Sequence, residues 1–152
     1  MRVRVITVSD RSSRGERENT TGPLLVELLG ATEPTVVVPD EAEEIAAAVN
    51  DAVAAGYDLV VTTGGTGISP RDVTPDAVQP LLERELPGVL EAVRAEGRAK
   101  VPTAALSRGV AGVIGSTFVV TLPGSPGGVR DGARVLSQLA QHVVDQLAGH
   151  DH

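Results

Sequence analysis

The alternation of apolar runs with helix-like segments divides the first half of the chain into five elements. Residues 3–8 and 59–63 have the composition of buried strands, and residues 35–38 form a short β-branched strand. Residues 22–29 and 41–54 have apolar positions at helical spacing, and acidic residues begin the second of these segments, where the helix dipole favours them. The order strand, helix, strand, helix, strand predicts a parallel sheet covered on both faces.

The second half extends the same pattern. Residues 74–84 and 87–96 are predicted as helices, because Pro75 and Pro87 are tolerated in a first helical turn. Strands at 109–114 and 117–122 flank Gly115 and Ser116, a pair suited to a tight hairpin, and a helix at 129–147 follows. We therefore expect a single α/β domain over residues 1–152, built as a three-layer α/β/α arrangement with a mostly parallel sheet and one antiparallel strand.

Four polar clusters follow the predicted strands at equivalent positions. They are Ser9-Asp10-Arg11, Asp40, the segment 62–72 and the segment 123–128. Because the carboxyl ends of parallel strands meet at one edge of a sheet, we expect these clusters to converge there and bind a ligand. For Asp40 taken alone, a plain N-cap of the 41–54 helix is favoured by roughly two to one.

The segment 62–72 carries the most chemistry. Its glycines allow backbone amides to approach an anion closely, its threonines supply hydroxyls, and Asp72 is suited to hold Mg²⁺. Lys100 is the only lysine and no Walker A pattern precedes it, so phosphates need backbone amides, Arg71 or Arg108, and a cation held by Asp40 and Asp72. This combination indicates nucleotidyl transfer by positioning and charge. The alternative is a tight turn without a ligand.

The amino-acid composition limits the classes of molecule that the protein could bind. Acidic residues exceed basic ones by seven, so a nucleic acid would be repelled, and Tyr57 and Phe118 are too few aromatic residues for base stacking. The absence of cysteine excludes disulfides and thiolate chemistry. No apolar run has membrane-spanning length and the N-terminal run is too short for a signal peptide, so we expect a cytoplasmic protein with a small-molecule partner and no membrane partner.

Two other kinds of chemistry are disfavoured. Ser125 is not the centre of a nucleophile elbow, because that motif requires glycine where Pro123 stands. His142, His150 and His152 lie in the last helix and tail, where we expect them on the surface, with a solvated tail favoured over a weak metal site.

The motif Thr62-Thr63-Gly64-Gly65-Thr66-Gly67, followed by Arg71-Asp72-Val73-Thr74-Pro75-Asp76, resembles the signature of the MogA/MoaB family of molybdenum cofactor biosynthesis proteins. The family also includes the G domains of gephyrin and of its plant relatives. Supporting matches are Val8-Ser9-Asp10-Arg11 with Gly15, Val38-Pro39-Asp40-Glu41, Arg84-Glu85-Leu86-Pro87-Gly88, Leu106-Ser107-Arg108 and Leu122-Pro123-Gly124-Ser125-Pro126. They cover nearly the whole chain in order.

The resemblance implies a molybdopterin adenylyltransferase, which joins AMP from Mg²⁺-ATP to the terminal phosphate of molybdopterin and releases pyrophosphate. It implies that Asp40 and Asp72 are the catalytic, metal-holding pair and that Ser107 helps to bind the pterin. With the strand-end clusters it gives the candidate substrate-binding residues Ser9, Asp10, Thr63, Gly64, Gly65, Thr66, Gly67, Ser107, Pro123, Gly124 and Ser125. It also implies a homo-oligomer, either a trimer or a hexamer, and a downstream molybdenum insertase.

Two other functions stay open at this stage. One is a MoaB-like protein that binds molybdopterin without adenylylating it, and it would tolerate loss of Asp40. The other is a gephyrin-like scaffold, which ranks lower because the chain has no extra domain and few aromatic anchors for a protein partner.

Overall fold

A mixed six-stranded sheet organises residues 1–150, which are the residues described by a computed structural model. The strands are β1 (Val3–Val8), β2 (Val36–Val38), β3 (Leu59–Thr63), β4 (Arg84–Glu85), β5 (Ala111–Ile114) and β6 (Thr117–Leu122), in the spatial order β2-β1-β3-β6-β5-β4. The pairings among β2, β1, β3 and β6 are parallel, whereas β5 pairs antiparallel with both β6 and β4. The predicted mostly parallel sheet with one reversed strand is confirmed.

Helices cover both faces of this sheet. They are α1 (Asp10–Ser13), α2 (Thr21–Leu29), α3 (Ala42–Ala54), α4 (Thr74–Val78), α5 (Pro87–Arg98) and α6 (Pro126–Leu147). Alternate strand residues enter two cores: Val5 and Val61 pack with α2, α5 and α6, while Ile6 and Val60 pack with α3 and α4. Each buried aliphatic side chain contributes about 1.5–3 kcal/mol of transfer free energy. The three-layer α/β/α prediction is therefore confirmed. Among the helices of residues 1–150, none is both long and apolar enough to cross a membrane.

The predicted helix at 74–84 is wrong in its second half. Helix α4 ends at Val78, a 3₁₀ turn occupies Gln79–Leu81, and Arg84–Glu85 pairs with β5. Pro80 has no amide to donate and its ring crowds the preceding turn, which ends the helix. The two residues of β4 are exposed and charged, so they carry none of the apolar alternation that marks a strand.

The starts of α3 and α6 also differ from expectation, and α1 was not predicted. Asp40 does not cap α3, since Glu41 occupies the cap position and makes no side-chain capping bond. The polar stretch after β1 contains the short helix α1, capped by the Ser9 hydroxyl. Helix α6 begins three residues earlier than predicted, and the Ser125 hydroxyl accepts the Gly128 amide at 3.1 Å. At the other end of the chain, His150 is exposed, while His152 lies outside the described residues.

Candidate active site

The loop that follows β3 is built into the carboxyl edge of the sheet. The Gly64 amide donates to the Leu122 carbonyl at 3.0 Å, and the Thr74 hydroxyl donates to the Gly64 carbonyl at 2.9 Å. The Thr63 hydroxyl donates to the Pro123 carbonyl at 2.8 Å. These bonds join the glycine loop to the segment after β6, so two of the four predicted polar clusters are in direct contact.

Gly64 and Gly65 occupy backbone positions where a side chain would be strained and would clash with neighbouring atoms. Both have positive φ, at 106° and 71°. A methyl group built on Gly64 would lie 2.3 Å from the Val8 carbonyl oxygen, and one built on Gly65 would lie 3.2 Å from Oδ1 of Asp40. The missing side chains therefore let the loop lie against the end of β1 and beside the Asp40 carboxylate.

Arg108 fastens the far side of the same loop. Its guanidinium donates to the carbonyls of Gly67 at 2.9 Å and Asp72 at 2.8 Å, and it pairs with Asp76. Its backbone amide donates to the Thr66 carbonyl at 2.8 Å. This arginine thus positions the loop, and most of its donors are directed at protein groups.

Asp40 is held by the first strand-end cluster. Its Oδ2 accepts the Asp10 amide at 2.9 Å, and its own amide donates to Oδ1 of Asp10 at 2.9 Å. Burial raises the pKa of Asp40, with smaller upward contributions from the charges of Asp10 and Asp72, although the bond from the Asp10 amide and the charge of Arg71 oppose the rise. The pKa of Asp10 is lowered, first by the Asp40 amide and then by Arg71.

Asp72 lies at the other end of the glycine loop. Its Oδ2 accepts the Ser69 amide at 3.0 Å, and its amide donates to the Ser69 carbonyl at 2.9 Å. A methyl group built on Gly67 would lie 2.7 Å from this carboxylate, so the glycine leaves the space that Asp72 occupies. Its Oδ1 makes no hydrogen bond to residues 1–150, and the same is true of Oδ1 of Asp40.

Two adjoining clefts open at this edge, with Gly65, Asp72 and Gly124 shared between them. The narrow cleft has a volume of about 230 Å³ and the wide cleft about 720 Å³. Of the predicted site residues, the narrow cleft is lined by Ser9, Asp40, Thr63, Gly64, Gly65, Asp72 and Gly124. The wide cleft is lined by Gly65, Thr66, Gly67, Asp72, Ser107, Pro123, Gly124 and Ser125. The structure thus brings the predicted set together, except that Asp10 lines neither cleft and instead hydrogen-bonds to Asp40.

The two carboxylates suit a magnesium ion that is shared with a phosphate ligand. Residues 1–150 contain no group of three or more His, Cys, Asp or Glu side chains placed to hold a metal. Mg²⁺ commonly takes one or two protein carboxylates and completes its shell with water and substrate phosphates. Asp40 and Asp72 line one cleft and each keeps one oxygen free of hydrogen bonds, so they fit this role.

Arg71 and Ser107 also have defined partners. Arg71 is exposed and pairs with Asp10 at 2.9 Å and with Glu41 at 3.2 Å. The Ser107 hydroxyl donates to the Thr66 hydroxyl at 3.3 Å, which places it on the wall of the wide cleft. Of the two arginines considered as phosphate ligands, each is therefore already engaged with protein acceptors.

Sequence reasoning missed two parts of the site. Residues 17–21 line the narrow cleft, and none of them is among the predicted site residues. Lys100 and Asp131 line the wide cleft and pair with each other at 2.6 Å. The available signal was the position of Asp131, a charged residue next to the apolar and small residues Val129, Gly132 and Ala133 of α6.

A doubly covered α/β sheet with two clefts at the carboxyl ends of its parallel strands defines a class of small-ligand-binding α/β proteins. Within this class, the sequence model of the family described as a probable molybdopterin binding domain matches residues 4–142. The chain belongs to this family, which confirms the resemblance found in the glycine-loop motif.

Individual relatives and a solved structure are similar to this chain over nearly its whole length. A molybdenum cofactor biosynthesis bifunctional protein from Chlorobaculum tepidum is 39% identical over 99% of this chain, and the chain spans about half (50%) of that relative's length. A molybdopterin adenylyltransferase from Pyrococcus furiosus is 39% identical, with 92% of this chain and 87% of the relative covered. The crystal structure of a molybdopterin biosynthesis protein from Mycobacterium abscessus superimposes with a TM-score of 0.92 at 50% identity, covering 97% of this chain and 96% of that one.

Proposed function

We propose that this chain is a molybdopterin adenylyltransferase of molybdenum cofactor biosynthesis. In the proposed reaction, an oxygen of the molybdopterin phosphate attacks the α-phosphorus of ATP. A new P–O bond forms, the bond from the α-phosphorus to the bridging oxygen breaks, and pyrophosphate leaves with that electron pair. The observation that carries the proposal is the position of the carboxylates: Asp40 lies in the narrow cleft, and Asp72 lies where the narrow and wide clefts meet.

The lining of the two clefts supports our placement of the two substrates. Three large apolar side chains of the wide cleft, Ile68, Val101 and Leu106, are at least half exposed, and such surface suits the faces of a flat heterocycle. The narrow cleft is lined by hydroxyls, loop glycines and Asp40, which suit a nucleotide. We therefore place the pterin in the wide cleft beside Ser107 and ATP in the narrow cleft.

Asp40 and Asp72 would hold the magnesium ion of Mg²⁺-ATP, and the ion would offset negative charge on the phosphates. Residues of the chain itself would position the phosphates. Gly64 and Gly65 allow the loop backbone to lie close to the phosphates, and Arg108 keeps that loop fixed. Burial raises the pKa of Asp40, and a bound cation would oppose that effect by favouring the ionised carboxylate.

The names of the relatives support the same activity, since the Pyrococcus furiosus protein is named a molybdopterin adenylyltransferase. By the family resemblance, we propose a homo-oligomer, a trimer or a hexamer, that works in the cytoplasm. The product would pass to an enzyme that inserts molybdenum.

The test is incubation of the purified protein with molybdopterin and Mg²⁺-ATP, following pyrophosphate and adenylated pterin. Asp40→Asn and Asp72→Asn should each lower the rate by at least about a hundredfold. Asp51→Asn, on the exposed side of α3, is the matched control and should keep full activity. Molybdopterin that binds to the native protein but is never adenylated would overturn the proposal and leave a MoaB-like binding protein.

A further inference from the structure

A third carboxylate, that of Asp131, is buried and lines the wide cleft. The Asp131 side chain is 7% exposed, and its Oδ1 accepts Lys100 Nζ at 2.6 Å. Arg134 approaches the same oxygen at 3.5 Å. Oδ2 of Asp131 makes no hydrogen bond to residues 1–150. A carboxylate in this setting keeps one acceptor oxygen for a ligand.

The surrounding chain keeps this carboxylate accessible from the cleft. Gly97 stands beside it: a methyl group built there would lie 3.5 Å from Oδ2 of Asp131 and 2.7 Å from the Ala104 side chain. A larger residue at 97 would therefore fill the approach to Asp131. Lys100 is 55% exposed and lies on the cleft wall, so the ion pair faces the ligand space at its ammonium end.

A buried charge is costly unless its partners satisfy it, and two half-exposed cations, Lys100 and Arg134, approach Asp131 at Oδ1 only. Removing the charge would relieve that cost, so stability alone does not account for an aspartate at this place. A ligand with hydrogen-bond donors does account for it, because the donors would complete the set of partners around the carboxylate.

We propose that Asp131 and Lys100 recognise the pyrimidinone edge of the pterin. This inference rests on the proposed function, which puts the pterin in the wide cleft. A pterin presents three adjacent groups along that edge: the 4-oxo acceptor, the N3–H donor and the 2-amino donor. Oδ2 of Asp131 accepts from the 2-amino group, and Oδ1 accepts from N3–H while it keeps its bond from Lys100. The Lys100 ammonium has three donors and also donates to the 4-oxo oxygen.

The match depends on the order of the charges. The Asp131 carboxylate beside the Lys100 ammonium selects a ring edge that has two neighbouring donors followed by an acceptor. The same pair disfavours a ring in which an oxygen replaces the 2-amino group. Because an unpaired buried acceptor facing a ligand oxygen is costly, Asp131 acts as a specificity residue for the 2-amino group.

The experiment is competition against molybdopterin by two small probes, 6-hydroxymethylpterin and its 2-oxo counterpart, 6-hydroxymethyl-lumazine, without ATP. The native protein should prefer the pterin probe by about tenfold or more. In Asp131→Asn the preference should disappear or reverse, because the amide nitrogen donates to the 2-oxo group and repels the 2-amino group. A purely structural role for Asp131 would weaken both probes alike, and that result would overturn the proposal.

Two further variants keep the test decisive if Asp131→Asn folds poorly. Lys100→Met should weaken both probes by a similar factor of about three to ten while keeping their order, since both carry the 4-oxo group. Arg134 contacts the same carboxylate but does not line the cleft. The variant Arg134→Gln should therefore change the affinity for neither probe. Unchanged binding in Lys100→Met would overturn the proposal.

The outcomes also separate this inference from the proposed function. Native protein that adenylates molybdopterin but shows the same probe preference after Asp131→Asn would leave the enzyme intact and overturn the role of Asp131. Native protein that binds no molybdopterin would overturn both.

Discussion

Asp10 and Asp40 hold each other in place, since each backbone amide donates a 2.9 Å hydrogen bond to the carboxylate of the other. The pair ties the segments after β1 and β2 together. The pKa of Asp10 is lowered, first by the bond from the Asp40 amide, whereas the pKa of Asp40 is raised, first by burial. At Asp40 the bond from the Asp10 amide lowers the pKa and the charge of Asp10 raises it. The charge that the proposed metal site needs on Asp40 is therefore set partly by Asp10.

Asp10→Asn should move the acidic limb of the activity profile to lower pH. The amide keeps an acceptor oxygen for the Asp40 backbone, but a negative charge that raises the pKa of Asp40 is removed. Since the proposed reaction needs ionised Asp40, activity should persist to lower pH than in the native protein. The measurement is kcat/KM against pH, with Asp51→Asn as control. An unmoved limb would show that ionisation of Asp40 does not limit the reaction.

Asp40→Asn should leave the protein at least as stable as the native chain at pH 7. The folded-state pKa of Asp40 is raised, so its contribution to stability falls as pH rises through the folded value and stays unfavourable above it. Asp10 behaves oppositely: its contribution is present above the unfolded pKa and is lost as pH falls through the lowered folded value. Thermal melts at pH 7 and pH 4 test this, because the relative gain in Asp40→Asn should shrink at pH 4. A large loss of Tm at pH 7 would contradict it.

Gly64→Ala should destabilise the protein by roughly 2–4 kcal/mol, because it combines a strained positive φ with a clash. Its methyl group would lie 2.3 Å from the Val8 carbonyl oxygen. Gly115→Ala is the matched control: φ is 59° and nothing lies within 4 Å of the new methyl group, so only about 1 kcal/mol is expected. Urea unfolding measures both. Equal losses would show that the contact with Val8 is unimportant.

Thr62→Val and Thr63→Val should have opposite effects. Among residues 1–150, the Thr62 hydroxyl is the buried side-chain polar atom without a hydrogen-bond partner, so valine should stabilise by up to about 1 kcal/mol. The Thr63 hydroxyl donates to Pro123 at 2.8 Å, and valine should cost about 1 kcal/mol there. Chemical denaturation of the two variants gives the comparison. A destabilised Thr62→Val protein would indicate a partner for that hydroxyl.

Arg108→Ala should impair both the fold and the proposed activity, because it releases the carbonyls of Gly67 and Asp72 and the pair with Asp76. A loss of roughly 2 kcal/mol is expected, with a raised KM for ATP as the loop loosens. Arg14→Ala removes an exposed pair with Glu16 and should leave the stability of the protein unchanged. Unfolding curves measure the loss of stability, and steady-state kinetics measure the change in KM for ATP. Unaltered KM in Arg108→Ala would mean that the loop is rigid without this clamp.

Much of the fold follows from local pattern. The apolar runs of β1, β3 and β6 and the helical spacing of α3 and α6 are visible because each element buries its own periodic face. The order of these elements also implied which polar clusters share an edge, since parallel strands end together. The strand β4 was invisible because its residues are exposed and its pairing with β5 depends on a distant segment.

The amino-acid sequence by itself determined the class of fold, the glycine loop and the family, because these depend on residue types at short spacing. Only the tertiary structure decided what each polar group contacts. It took Asp40 away from the helix cap and paired it with Asp10, directed Arg108 onto the loop, and placed Lys100 beside Asp131. These contacts join residues at least 30 positions apart, and such long-range contacts are set by the packing of whole elements rather than by local sequence.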